Sequence, residues 1–208
     1  MSIKIRRAKP DDAEGIWAVA QSRSKQTMAG GDASEENLSR DGFLLYPLAA
    51  ASDDQPNYRE RIALSDHFWV AAEDERIIAF NMAYTFQTMK SFAHLTSNDV
   101  SLLNYFTEQW GCDLNCIYMA QGATLQGHAS QGIMGQVAAA FLTHAASSGA
   151  PAVIGEIAQA PIQNQASTAT AQKLGLRLVA TRIKIDPTTG LNRVSGTFMR
   201  TLPSLTQK

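Results

Sequence analysis

The chain has 208 residues, 45% of them hydrophobic, and its eighteen Lys and Arg against nineteen Asp and Glu give a formal net charge of −1. That length and apolar content supply a sizeable core for one domain, and the charge balance, without a long basic run, removes the electrostatic footprint of a nucleic-acid binder. No stretch approaches the roughly 20 apolar residues of a membrane span, and Met1–Pro10 lacks the apolar centre of a secretion signal, so a cytoplasmic protein without membrane contact is expected.

Ile3 and Ile5 alternate with Lys4 and Arg6, a short strand, after which Pro10-Asp11-Asp12 opens a helix carrying Ala13, Ile16, Trp17 and Ala20. From Ser22 to Asp54 the periodicity is poor, broken by Gly30-Gly31, Gly42 and Pro47, and predicts a mobile polar linker flanked by short helices. Asn57 with Glu60 resembles a capping box before a helix reaching Asp66. His67–Ala72 and Arg76–Thr85, joined by Glu73-Asp74-Glu75, predict an antiparallel hairpin. Trp17, Phe68, Trp69 and Phe80 are assigned to packing. Asn98 is placed to cap an inserted helix over about 97–111, with Leu102, Leu103, Phe106 and Trp110 on one face and Gly111 at its end.

Cys116–Leu125 is the fourth strand, and its internal Gly122 suggests a bulge or a close backbone approach. A small and polar stretch, Gly127–Gly135, precedes a helix carrying Ile133, Val137, Ala140, Phe141 and His144 and stopped by Gly149; Ala152–Ala158 follows as a strand that is uncharged except for Glu156. Asn164–Leu174 is the last helix, closed by Gly175, and Arg177–Ile185 with Asn192–Met199 form a hairpin around Asp186-Pro187-Thr188-Thr189-Gly190. The strand, helix, strand unit from Cys116 to Ala158 implies a right-handed crossover with parallel pairing. The prediction is an α/β protein with an α+β type mixed sheet: one domain over 1–202 and a loose tail over 203–208.

Two strings in this order carry a resemblance. Gln131-Gly132-Ile133-Met134-Gly135-Gln136-Val137 resembles a glycine-bearing phosphate turn at a helix start, and Asn164-Gln165-Ala166-Ser167 through Lys173-Leu174-Gly175-Leu176 resembles the helix that follows the fifth strand in the same fold. Together with the element order, strand, two helices, two strands, inserted helix, then strand, helix, strand, helix and two strands, they are similar to the GNAT superfamily of acyl-CoA N-acyltransferases. The resemblance implies a domain with a parallel central pair formed by the fourth and fifth strands, and acetyl-CoA or another acyl-CoA as co-substrate without a metal. It implies contacts of Ala123, Thr124 and Leu125 with the pantetheine arm, and of Ser130, Gln131, Gly132, Ile133, Met134 and Gly135 with the phosphates, with Asn164 and Ser167 contributing from the last helix. Helix starts suit phosphate because their N–H groups are unpaired and carry partial positive charge.

Three positions depart from the family pattern. Anchored on Gly132, the turn has Ala129 where Arg or Gln is usual and Met134 where a small residue is usual; the Tyr found seven residues after the helix's first Asn is here Ala171. Acyl transfer to an amine needs an oxyanion donor, a base and a leaving thiolate. The backbone of Ala123 or Thr124 is the candidate donor. Glu156 is the candidate base if its strand face turns inward, or a solvated group if it turns outward. Ser167 and Thr170 are hydroxyls that either replace the missing acid or cap the helix, and His128 is a further loop candidate. Tyr84 and Tyr118 are candidate substrate contacts or core.

By the same resemblance, the segment Ser22–Asn57 and the last hairpin build the acceptor site. Gly42-Phe43-Leu44-Leu45-Tyr46-Pro47 is an apolar island that either walls the pocket or staples the loop to the core. With no charge cluster seen in these segments, neither a polyanionic nor a strongly cationic acceptor is indicated. The expected function is acyl transfer to the primary amine of a small molecule, amino acid or peptide by direct attack in a ternary complex. The alternatives are a non-catalytic acyl-CoA-binding sensor or interaction module, and a nucleotide-binding α/β domain. Cys112, Cys116 and the scattered His67, His94, His128 and His144 fit ordinary thiols and histidines better than a zinc site. A homodimer is compatible with the sequence.

Overall fold

The structure, a computed structural model, describes residues 2–25, 28, 34–110, 114–129, 131–185 and 190–203. Its strands are β1 (Ile3–Arg7), β2 (Trp69–Glu73), β3 (Arg76–Thr85), β4 (Ile117–Thr124), β5 (Ala152–Ala160), β6 (Arg177–Ile185) and β7 (Asn192–Thr201). The helices are α1 (Ala13–Ser22), α2 (Glu35–Asp41), α3 (Tyr58–Leu64), α4 (Phe86–Lys90), α5 (Ser97–Trp110), α6 (Ile133–Ser147) and α7 (Gln165–Lys173). The seven strands form one sheet in the order β1-β2-β3-β4-β5-β7-β6, in which β4 and β5 run parallel and the other neighbours antiparallel. Ser130, Cys112, Gly30-Gly31, Gly111 and residues 186–189 of the last loop lie outside the described residues, as does the Trp110 side chain.

Helices cover the sheet on both faces because its central strands are apolar on both sides, as a buried sheet requires. On the first face, α1, α3, α4 and α5 bury Ile16, Val19, Tyr58, Ile62, Met89, Leu102 and Phe106 against Phe80, Met82, Tyr84 and Ile154. On the second, α6 and α7 bury Val137, Phe141, Leu142 and Ala171 against Ile78, Ala83, Ile117 and Val153. The packing face of α1 is Ala13, Ile16, Val19 and Ala20. Trp17, which the predicted stripe included, is 39% exposed and stands outside the buried face. No helix among the described residues is long and apolar enough to cross a membrane.

Local chemistry explains several boundaries. Asn57 Oδ1 accepts from the Glu60 N–H at 2.8 Å, the predicted cap of α3, but the Glu60 side chain turns instead to the Ala93 N–H at 2.6 Å. Helix α5 starts one turn position earlier than the Asn98 cap predicted: Thr96 and Asp99 cap each other's N–H groups, at 3.0 and 2.9 Å. The predicted linker is ordered where described. It carries α2 and backbone bridges from Ser24 to Leu44 and from Ala49 to Asn57, and Phe43 and Leu44 are buried. Helix α4 has no forerunner in the sequence pattern; Thr85 caps it through the Thr88 N–H at 3.0 Å.

Under α6, the rings of His67 and His144 lie 5.2 Å apart, with Trp69 5.8 Å from His144. His67 Nδ1, His144 Nε2 and Trp69 Nε1 are buried there without hydrogen-bond partners. Burial, reinforced by His144, pulls the His67 pKa down from 6.5 to about 4. The unfolded chain therefore binds a proton at His67 that the folded chain refuses between those two values. The His67 contribution to stability is full above about 6.5 and is lost as pH falls toward 4, at a slope of at most about 1.4 kcal/mol per pH unit. Denaturant titrations across this window should give a steeper pH dependence for the wild type than for His67→Leu.

Candidate functional site

The central constraint is the brevity of the β4/β5 contact. Ile117, Tyr118 and Met119 pair with Val153, Ile154 and Gly155, and the strands then part. The register against β3 slips in the same place: Met82 is opposite Gln121 and Ala83 opposite Met119, so Ala120 is the extra residue. The distortion therefore sits two residues before Gly122, which itself pairs regularly with Asn81. A bulge bends the strand that carries it. A cavity of about 1110 Å³ fills the opening and is lined from both faces of the sheet, by Gly122, Thr124, Ile133 and Ala171 at one end and Tyr84, Tyr118, Glu156 and Arg193 at the other.

Backbone direction decides between the two candidate donors on β4. The Leu125 N–H donates to Ile78 O at 2.7 Å, toward β3. Alternation along a strand then turns the Ala123 amide to β3 as well, opposite Phe80, and turns the amides of Gly122 and Thr124 to the β5 side, where no strand pairs with them. Ala123 and Leu125 thus have engaged amides, and Thr124 keeps one facing the opening.

Beside it, α6 begins. The first helical bond is from the Gln136 N–H to Gly132 O at 3.2 Å, so the amides of Ile133, Met134 and Gly135 have no partner inside the helix. Gly132 forms the cap with φ 74° and ψ 6°, a left-handed conformation. Such a start can hold an anion by backbone alone. Gly132, Ile133, Met134 and Gly135 all border the cavity; Gln131 stands outside it and donates weakly to Gly127 O at 3.4 Å. The Ile133 side chain is buried beneath, in contact with the core rather than the cavity mouth.

On α7, Asn164 is committed twice: Oδ1 accepts from the Ser167 N–H at 3.0 Å and Nδ2 donates to Phe43 O at 2.9 Å. It caps the helix and ties down the apolar island. Ser167 is half-buried at the cavity wall, and Thr170 donates back to Ala166 O at 2.8 Å. The predicted island does both jobs considered for it, since Phe43 and Leu44 are buried while Leu45 and Tyr46 line the cavity. His128 also borders the cavity, with Nε2 3.4 Å from Glu73 Oε2.

At the far end, Glu156 faces inward, its side chain 5% exposed. Its Oε1 accepts from Arg182 Nη1 at 3.1 Å and its Oε2 contacts Lys184 Nζ. Arg182 also donates to Ser101 Oγ at 3.0 Å and lies 3.8 Å over the Tyr105 ring; Lys184 donates to Asn98 Oδ1 at 2.9 Å. Burial lowers the Lys184 pKa against the opposing pull of Glu156. Burial also pushes the phenols of Tyr118 and Tyr84 well above their ordinary values, helped at Tyr118 by the Glu156 charge and at Tyr84 by Asp99, so both stay protonated. Tyr84 donates to Asp99 Oδ1 at 3.1 Å, and Asp99 pairs with buried Arg61 at 3.0 Å.

These cations overturn the expectation of an acceptor region without a charge cluster. Arg182, Lys184 and Arg193 come from both strands of the last hairpin and meet on one face. The alternation Arg182-Ile183-Lys184-Ile185 was the available signal, because it puts both cations on one side of a strand. Gln121, which accepts from Tyr58 Oη at 2.7 Å and donates to Tyr46 O at 2.8 Å, was likewise missed.

No family model matches the sequence, and no curated protein matches it significantly. Solved structures do match over nearly the whole chain. An N-acetyltransferase from Staphylococcus aureus Mu50 superposes with a TM-score of 0.63 at 16% identity, covering 98% of this chain and 100% of that one. The ribosomal-protein-S18-alanine N-acetyltransferase from Escherichia coli gives 0.60 at 10%, covering 100% and 98%. An N-acetyltransferase from Thermoplasma acidophilum, in complex with coenzyme A, gives 0.54 at 15%, covering 97% and 99%. The chain has the GNAT acyltransferase fold.

Gly132 offers a test of the helix start itself. A Cβ there meets nothing within 4 Å, yet φ is positive. Gly132→Val should lower stability by about 1–2 kcal/mol through the backbone alone, whereas Gly132→Asn, tolerant of that region, should lose clearly less. Thermal unfolding of the two variants decides it.

Proposed function

From the fold it shares with these enzymes, we propose that the protein is an N-acyltransferase that moves an acetyl or other acyl group from acyl-CoA to a primary amine in a ternary complex. The observation that carries this reading is the cavity crossing the sheet where β4 and β5 part. It joins a donor-rich helix start on one side to a chamber containing a buried carboxylate on the other.

The residues fit CoA as co-substrate. The free amides of Ile133, Met134 and Gly135 suit a pyrophosphate without cationic side chains, and the unpaired amides of Gly122 and Thr124 suit the amide groups of a pantetheine arm. CoA supplies the thioester. The Thr124 N–H is then the donor for charge developing on the thioester oxygen.

Glu156 holds and deprotonates the acceptor amine in this reading. Its Oε2 already contacts an ammonium, that of Lys184, and the acceptor's amine exchanges with it there. Tyr118 keeps its proton beside this carboxylate and orients through Asn98 Nδ2 at 3.4 Å. With Ala171 in place of a tyrosine, Ser167 is the remaining α7 hydroxyl at the cavity wall, and a thiolate with a pKa near about 8.5 also leaves with the help of solvent.

Thiol release from acetyl-CoA with a panel of amines tests the activity. Glu156→Gln should lower kcat by on the order of a hundredfold, with CoA affinity unchanged by calorimetry. Gly135→Leu, at a position where a Cβ meets nothing within 4 Å, should weaken CoA binding without lowering the melting temperature. Tight CoA binding with no turnover for any amine would support the other reading that Ala171 motivates, a non-catalytic acyl-CoA sensor.

A further inference from the structure

Among the described residues, Arg193 is the charged group of the chamber left without a partner of opposite charge. It stands opposite Lys184 in the β6/β7 register, so the two side chains share a face. The residue is 8% exposed, and its Nε and Nη1 are buried without a hydrogen-bond acceptor. Its guanidinium carbon lies 5.6 Å from the centre of the Tyr46 ring, which covers it from the acceptor loop.

Among the described residues, the carboxylates that line the cavity are already committed. Asp41 pairs with Arg40, Asp99 with Arg61, and Glu156 with both Arg182 and Lys184. Buried charges in folded proteins are paired or bind a ligand, because an unpaired one forfeits its hydration without return. A guanidinium is moreover the side chain whose planar fork matches a carboxylate with two parallel hydrogen bonds. The same surplus of positive charge repels a polycation.

We propose that Arg193 is the specificity-determining residue of the acceptor chamber and that it receives a carboxylate: the acceptor is an amino acid, or another amine carrying an acid group. The inference rests on the acyl-transfer reading. Glu156 takes the amine end and Arg193 the acid end, with Tyr46 closing over the latter. One other source of the same chemistry exists, the free carboxylate of a dicarboxylic acyl group on CoA, and the experiment separates the two.

Thiol release is measured with acetyl-CoA against L-α-amino acids and their matched α-amides, with spermidine as a polycation. The acid of at least one pair should exceed its amide about tenfold or more in kcat/KM, and spermidine should be the poorest acceptor. Arg193→Gln should cut kcat/KM for that acid by on the order of a hundredfold, chiefly through KM, leaving the amide rate and the CoA affinity in place. Arg193→Lys should recover part of the loss.

Equal rates for acid and amide throughout the panel in the wild type overturn the proposal, and this comparison needs no variant to fold. So does an acid preference that survives Arg193→Gln. If that variant instead abolishes a preference for succinyl-CoA over acetyl-CoA while leaving acid and amide equal, the carboxylate belongs to the acyl group and the acceptor assignment falls. Should CoA bind with no turnover for any amine, the acyl-transfer reading fails separately. Calorimetric binding of the same acids and amides then judges Arg193 by itself, and equal affinity overturns its role.

Discussion

The opening between β4 and β5 follows from what each strand does on its outer side. Beyond Met119, β4 stays paired antiparallel with β3 as far as Thr124, and beyond Gly155, β5 stays paired with β7 as far as Ala160, each ladder crossing one register shift. Neither can follow the other once the extra residue at Ala120 has bent β4 away. The inner amides are thus left without a strand partner, which a dry core does not tolerate but a wet, ligand-lined one does. The cavity is accordingly a product of the pairing scheme: the α6 start borders it where the chain leaves β4, and Glu156 borders it from β5, which stays paired with β7 but no longer with β4.

The chamber's electrostatics rest on the last hairpin. β6 and β7 continue past the parted strands, so that Arg182, Lys184 and Arg193 hang over the space next to Glu156. A buried ion pair is weak evidence for stability, since desolvation consumes most of its attraction. Three cations against one inward carboxylate on β5 are better explained by what enters the chamber than by folding. The protonated phenols of Tyr84 and Tyr118 agree with this: they add donors to the wall without adding negative charge that would neutralise the surplus.

The strand order, the parallel pair, the cap at Asn57 and the glycine-bearing start of α6 were legible in the sequence, whereas α4 and the capping role of Asn164 were not. The inward turn of Glu156 was legible as one of two options, since strand alternation leaves only two. The remainder of the chamber was not. Arg193 and Lys184 meet only through a register fixed by an eight-pair ladder, and Arg182 reaches Glu156 across β7. Gly122 was read as marking either a bulge or a close backbone approach; the bulge falls at Ala120, while Gly122 pairs regularly and lines the cavity. Trp17 was assigned to packing by its helical spacing with Ala13, Ile16 and Ala20, whereas Val19 completes the buried stripe and Trp17 stands outside it.

The two ends of the cavity are mechanically joined, and Asn164 is the joint. Its carboxamide fixes the start of α7 through the Ser167 amide and simultaneously holds the Phe43 carbonyl, while Ser39 Oγ donates to Gln163 O at 2.6 Å. Three residues beyond Phe43, Tyr46 lies over Arg193 and its carbonyl is gripped by Gln121 of β4. The α7 cap and the Tyr46 side of the cavity are thus tied to one short stretch of backbone, Phe43 to Tyr46, by a hydrogen bond at each end. An apolar residue of similar volume at position 164 has neither the acceptor for the Ser167 amide nor the donor for the Phe43 carbonyl, so both ties depend on this one carboxamide.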